Sequence, residues 1–494
     1  MCSMITLSDL KFLLPECLMF LSAMALLMWG VFSKNTERII PLLMRITLLI
    51  LALALLIVAF DRTSVTLLNG LFTIDNFTTY MKGLVLLGGL ATCSMTLGIC
   101  KKESYFKPEF PVLILFAILG MFLMISCNDL ISLYLGVEIQ SLSLYILAGF
   151  KRNSPKSTEA ALKYFILGAL ASGILLYGLS LVYGLSGGTN FKDIAIALSP
   201  NWIANPSQYW GLVAGFVLVI GGIVFKISAV PFHMWAPDVY EGVPMPITAF
   251  FAVVPKIAAF ALLVRLLIGP FAPLVVSWQA IILALSVLSM VWGAFAAIAQ
   301  SNMKRLMAYS SISHMGFSLL GLASGRFEGF QSVLIYLSLY VFMTAGIFAC
   351  LLCLRYPLGE EKQNFVDVIE DLKGLSKTSP KIAFCLAAFL FSMAGVPPLA
   401  GFFAKFYVFI AAIEAGFVIW AIVGVLASVV GAFYYIRIVK YMYFDEPESV
   451  IEVSTPYSLA IPMTVSAVVI MSFILYPNLL VQSTSLALAA ITNL

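Results

Sequence analysis

Residues 221–260 read GGIVFKISAVPFHMWAPDVYEGVPMPITAFFAVVPKIAAF. An apolar run passes through Lys226 and is interrupted at Pro231, and a second run from 247 to 268 encloses Pro255 and Lys256. About 20 consecutive apolar residues cross a bilayer as a helix. The stretches 209–230 and 247–268 therefore read as two spans, each carrying a lysine close to a proline. Working outward, the same apolar texture covers most of the 494 residues: 62% are hydrophobic and 11% charged, whereas soluble domains carry about 25% charged residues. The chain is read as an all-α integral membrane protein with no room for a sizeable soluble catalytic domain. Disordered, collagen-like and disulfide-scaffold classes are excluded. The 28 lysines and arginines are scattered, with no basic face interleaved with aromatics, so nucleic acid is not an expected partner.

The length criterion predicts fourteen spans: 12–32, 39–60, 79–99, 110–127, 129–149, 160–185, 209–230, 247–268, 274–299, 303–324, 329–354, 381–413, 416–443 and 456–478. The break at Asn128–Asp129 is short, and 381–413 reads as one broken helix or two short ones. The first stretch lacks the basic n-region and cleavage site of a signal peptide, and Pro15 and Glu16 interrupt its start, so it is expected to stay. Seventeen lysines and arginines fall at the odd-numbered connections, against four at the termini and even ones. That bias predicts cytoplasmic odd connections and both termini outside.

Seven basic residues remain inside spans: Arg45, Lys82, Lys163, Lys226, Lys256, Arg265 and Lys405. Arg45, Lys82, Lys163 and Arg265 lie nearer span ends, where long side chains snorkel to the interface. Lys226, Lys256 and Lys405 sit deep, each near prolines, the last after the interruption GVPPLAG at 395–401. Facing lipid, these three and Glu138 would cost roughly 10–14 kcal/mol, so a polar interior is expected around them. Irregular backbone at depth is tolerated where protein or water satisfies it, and a broken helix beside a titratable group marks a membrane ion site. Tyr134, Glu138, Ser141 and Tyr145 share one helix face. Glu138 is expected beside Lys226, where it either marks an ion path or glues two helices. Ser310, His314 and Ser318 form a second polar lane, in which His314 passes a proton or is a neutral, hydrogen-bonded core histidine. His233, beside Trp235 and Asp238, reads as structural or gating. Cys350 and Cys353 form a CxxC with no second pair, and the eight cysteines read as small apolar residues. No nucleotide loop, haem or zinc histidine pair or iron–sulfur cysteine cluster is present, so no cofactor is expected in this chain.

Three stretches carry a family resemblance: KISAVPFHMWAPDVYEGVPMPITAFFAVVPKIAAF (226–260), SNMKRLMAYSSISHMGF (301–317) and AGVPPLAGFFAKFYVF (394–409). In that order they resemble the antiporter-like membrane subunits of NADH-quinone oxidoreductase, respiratory complex I, and the APDVYEGVP run resembles its subunit N family. The resemblance spans roughly residues 110–445. It implies about 14 transmembrane helices with two inverted five-helix repeats, each with a broken helix: N-terminal helices over 1–109, repeats over 110–268 and 269–443, and a final helix over 444–494. It implies a proton relay of Glu138, Lys226, Lys256 and Lys405, with Lys163 matching a further lysine of the family and His314 and His233 as additional relay candidates. It also implies a proton-translocating (translocase) subunit of the respiratory chain in the bacterial inner membrane. NADH, FMN, iron–sulfur clusters and quinone would be bound, and electrons transferred, in partner subunits of the complex. Two rivals share these features: an Mrp-type cation/proton antiporter subunit and a non-pumping scaffold of the membrane arm.

Overall fold

Apolar runs of about 20 residues have one low-cost solution in lipid, a helix that satisfies its own backbone, and the computed structural model is predominantly helical. It describes residues 11–34, 36–61, 63–198, 206–357 and 365–492. Arg62 and Lys362, two of the residues in the charge-bias count, lie outside these. The helices are α1 (Leu14–Phe32), α2 (Thr36–Phe60), α3 (Asn76–Ile99), α4 (Glu109–Ser126), α5 (Leu130–Ala148), α6 (Pro155–Ser186), α7 (Phe191–Ala197), α8 (Pro206–Ile227), α9 (Trp235–Gly242), α10 (Met245–Ile268), α11 (Val275–Ile298), α12 (Met303–Ala323), α13 (Phe327–Leu352), α14 (Leu375–Thr378), α15 (Pro380–Ala394), α16 (Ala400–Glu414), α17 (Val418–Phe444), α18 (Tyr457–Ser472) and α19 (Pro477–Thr492). Among the described residues, twelve helices are long and apolar enough to cross a membrane.

Two of the fourteen expected stretches fall outside that twelve. The α12 stretch carries the serine and histidine lane. The 381–413 stretch divides into α15 and α16, 15 residues each, or about 22 Å apiece at 1.5 Å per residue, short of the ~30 Å hydrocarbon core. The division at 395–399 follows from Gly395, whose φ of +91° suits glycine, and from Pro397 and Pro398. The Asn128–Asp129 break is also real. Asp129 caps α5 by accepting Ile131 N–H at 2.8 Å, and Asn128 Nδ2 reaches Gly70 O at 3.0 Å.

That carbonyl belongs to an antiparallel hairpin, β1 (Val65–Leu67) and β2 (Phe72–Ile74), which hydropathy alone did not predict. A second short pair joins β3 (Leu354–Arg355) to β4 (Glu452–Val453). Helix α19 was also absent from the predicted spans, because its 16 residues are too few to cross the ~30 Å hydrocarbon core.

Helix α10 is the hub, with Met245 to Leu267 all buried. Small residues let its neighbours close up: at Gly120 of α4 a Cβ would stand 2.4 Å from the Gln140 nitrogen of α5. Two charges read as snorkelling are instead buried ion pairs. Lys82 (α3) meets Glu16 (α1) at 2.5 Å, and Arg265 (α10) meets Asp75, the cap of α3, at 2.9 Å. Their partners lie 66 and 190 residues away, beyond any local pattern. Arg45 is exposed.

Candidate ion path

Two helix breaks frame the path. At the first, α8 ends on Ser228 at φ +62°, a left-handed conformation costing about 1–3 kcal/mol for a non-glycine residue. Ala229 N–H closes the end on Val224 O at 3.2 Å. At the second, Gly395 takes the left-handed place and Val396 N–H closes on Phe391 O at 3.0 Å. These are the same 6→1 helix terminations, each followed two residues later by proline (231 and 398). The lysines sit differently: Lys226 precedes its break, Lys405 follows its own.

Lys226 is buried at the end of α8. Its Nζ donates to Ser141 Oγ at 2.7 Å and Tyr145 OH at 3.3 Å, both on α5, and lies 5.6 Å from the Tyr145 ring. The expected face of α5 is therefore the one Lys226 meets, but the contact is with the hydroxyls. No Lys226–Glu138 ion pair forms among the described residues. Glu138 lies between the exposed Leu135 and Leu142, half-buried, with its Oε1 enclosed and unpartnered.

Lys256 is 1% exposed. Its Nζ donates to Ser311 Oγ of α12, and Ser311 in turn bonds Tyr340 OH of α13 at 2.7 Å. One residue away on α12, Ser310 bonds Tyr435 OH of α17. His314 joins that group, with Nδ1 2.6 Å from Tyr336 OH and Nε2 3.0 Å from Tyr435 OH. Sequence reasoning missed Ser311, Tyr336, Tyr340 and Tyr435. The i, i+4 spacing of Tyr336 and Tyr340 was the available signal, obscured because tyrosines are common on apolar helices.

Lys405 lies on α16 and faces the open end of α15. Its Nζ donates to Met393 O at 3.0 Å, Ala394 O at 2.9 Å and Ser428 Oγ of α17 at 2.8 Å. The last carbonyls of a helix have no intrahelical donor and form its negative pole, so the break itself makes a cation seat. Phe317 lies beside both Lys405 and His314. Its ring is 5.1 Å from Lys405 Nζ and 6.2 Å from the imidazole, and no direct hydrogen bond joins the two residues.

Lys163 lies apart from the buried lysines. It pairs with Glu159 and Asp238, each at 2.7 Å, and its side chain is 42% exposed. Asp238, on α9, also takes Arg305 of α12 at 2.7 Å, and Arg305 reaches Glu241 at 3.1 Å. His233 sits in the first break with its ring edge-on to Trp292, 6.0 Å away. Trp235 secures the break by donating to Phe225 O at 3.0 Å and stacking on Tyr164 at 4.4 Å. Among the described residues no three His, Cys, Asp or Glu side chains gather to hold a metal.

A family profile described as "NADH:quinone oxidoreductase/Mrp antiporter, TM" matches residues 127–431, the segment holding both breaks and Lys163, Lys226, Lys256 and Lys405. Fold and profile together define an antiporter-like membrane subunit. NADH-quinone oxidoreductase subunit N of Parvibaculum lavamentivorans is 51% identical over 478 residues, 97% of each chain. Subunit N of Paramagnetospirillum magneticum is 50% identical over 98% of each. A chain of respiratory complex I from Thermus thermophilus superposes with a TM-score of 0.79 at 31% identity, over 95% of this chain and 98% of that one. The Mrp complex from Dietzia sp. contains a chain with a TM-score of 0.82 at 23% identity, over 97% of this chain and 98% of its own, and shares the fold. This chain belongs to the NADH-quinone oxidoreductase subunit N family.

Proposed function

We propose that this chain moves protons through the membrane arm of NADH-quinone oxidoreductase by a relay of Glu138, Lys226, Lys256 and Lys405. The complex transfers electrons from NADH to quinone in other subunits, which hold NADH, FMN, iron–sulfur clusters and quinone, and this chain performs no redox chemistry. The carrying observation is that Lys226, Lys256 and Lys405 are all buried yet hydrogen-bonded to hydroxyls or helix-end carbonyls, with no carboxylate in ion-pair reach among the described residues. A scaffold would pair its buried charges, as Lys82–Glu16 and Arg265–Asp75 are paired. A lysine bound to hydroxyls can hand a proton on, which arginine cannot do.

In this reading Glu138 responds to charge from a neighbouring subunit and biases Lys226. Lys256 exchanges through Ser311 and Tyr340, His314 through Tyr435, and Lys405 releases outward. His233 shapes the first break, and Lys163 communicates with it through Asp238. The α8–α9 and α15–α16 pairs are the broken helices of two inverted repeats, 110–268 and 269–443, flanked by 1–109 and 444–494. Adding α12 and the combined α15–α16 pair to the twelve gives fourteen spans. Odd connections face the cytoplasm and both termini the outside of the bacterial inner membrane. Proton pumping per quinone reduced, measured in purified complexes carrying Lys256→Arg or Lys405→Arg, tests the relay, and near-normal pumping by both sinks it.

A further inference from the structure

A cavity of about 770 Å³ opens between the start of α2 and the α3–α4 connection, lined by Arg38, Arg45, Lys101, Lys102 and Lys107. None of these five forms an ion pair among the described residues. Lys102 donates to Ser454 Oγ at 3.3 Å. The one acid among the described lining residues, Glu103, already pairs with Arg355 at 3.3 Å. Five like charges converging on one opening repel each other unless an anion occupies it.

The wall below the cavity is apolar. Arg38, Leu42, Arg45 and Leu49 follow one another at helical spacing on the exposed face of α2, which continues through Leu53, Leu56 and Phe60, 48%, 56% and 84% exposed. Three residues on from Arg45, about 4.5 Å along the helix, Leu48 begins a groove of about 290 Å³ with Leu87 and Ala91 of α3, Phe342 of α13 and Ile461 of α18. A charged opening at the end of the helices, with a separate apolar groove further along α2 and α3, matches a molecule with an anionic head and a hydrocarbon tail. A free phosphate would leave the groove unused, and an acidic protein loop would not enter it.

We propose that this cavity binds the phosphate headgroup of an anionic phospholipid, one acyl chain of which lies in the groove at Leu48 and Leu87. Arg45 snorkels from its span to the head, and the loop lysines close over it, as basic pockets between spans do with acidic lipids. This site stands independently of the proton path.

The test uses the intact, detergent-purified complex and phosphatidylglycerol carrying a photoactivatable acyl chain, with cross-links mapped by mass spectrometry. Labelling is expected on α2 and α3 around Leu48 and Leu87. It should be displaced by unlabelled phosphatidylglycerol and not by phosphatidylcholine or inorganic phosphate. The Arg45→Gln/Lys101→Gln/Lys102→Gln variant should bind on the order of 100-fold more weakly. Absence of labelling at these helices, equal displacement by phosphatidylcholine, displacement by inorganic phosphate, or undiminished labelling of the variant each overturns the proposal. If the triple variant fails to assemble, the competition series on the parent complex decides, together with Leu48→Trp, which fills the groove, leaves the cations in place and should abolish labelling.

Discussion

Lys163 and Asp238 stand 2.7 Å apart, and the second oxygen of Asp238 holds Arg305 at the same distance. One carboxylate thus ties α6, the short helix after the first break, and the start of α12. Partly exposed pairs contribute about 0.2–1 kcal/mol each, so Asp238→Asn should leave the complex assembled. Coupled turnover should fall about fivefold, the effect of roughly 1 kcal/mol of lost coupling. Quinone-reduction and pumping assays on the purified variant check this, and parental rates would reduce the triad to a surface tether.

Arginine at 256 or 405 keeps the positive charge but cannot release its proton. Lys256→Arg should be nearly as damaging as Lys256→Ala, lowering pumping by at least ~10-fold, less than the ~100-fold a positioned proton-transfer group typically contributes. Lys405→Arg should behave alike. An arginine variant far milder than its alanine counterpart would make these lysines structural counter-charges.

Ser311 is the hydroxyl between Lys256 and Tyr340. Ser311→Ala leaves buried donors unmatched at a cost of about 1–3 kcal/mol and should slow pumping with assembly retained. Tyr340→Phe should do the same. Because the two hydroxyls lie in series, the double variant should be no slower than the worse single one, and additive losses would place them on separate routes.

Much of this was legible in the chain. Runs of about 20 apolar residues located the helices, and prolines beside lysines at 226 and 405 located both breaks. Two things were not. Helix rotation decides that Lys226 meets Ser141 and Tyr145 and stops short of Glu138 one turn away. Long-range pairing decides that Lys82 and Arg265 turn inward. A span-end lysine with a counterion on a distant helix looks in sequence like one that reaches the interface, because the deciding atom lies on another element. The hydroxyls of Tyr336 and Tyr435 were hidden for the same reason.

The Lys82–Glu16 pair gives a contrast. Breaking a buried pair leaves an uncompensated charge and costs about 3–5 kcal/mol, whereas replacing both partners with apolar groups is often neutral. Lys82→Met should therefore impair assembly, and Glu16→Leu/Lys82→Met should restore it, as read by complex yield and thermal stability. Impaired pumping in a well-assembled double variant would instead add this pair to the path.

Cytoplasmic odd connections predict that single cysteines at Arg152 and Lys377 escape an impermeant thiol reagent in intact cells and react in inverted vesicles. Among the described native cysteines, Cys17 and Cys385 are only partly buried and would be replaced first. Labelling from outside would reverse the orientation argued from charge.

In the proposed relay, Phe317 sets the electrical character of the step between His314 and Lys405. Within that relay, hydrogen bonds running unbroken from His314 to Lys405 would let protons cross this stretch without control. With a benzene ring in the gap, conduction needs a momentary file of water past a side chain that has no proton of its own to give. In that reading, passage at this step depends on how often the ring moves aside, while His314 and Lys405 set how strongly each proton is held. A machine that stores energy as a gradient needs insulators as much as conductors, and in the proposed relay this hydrocarbon ring is one of them.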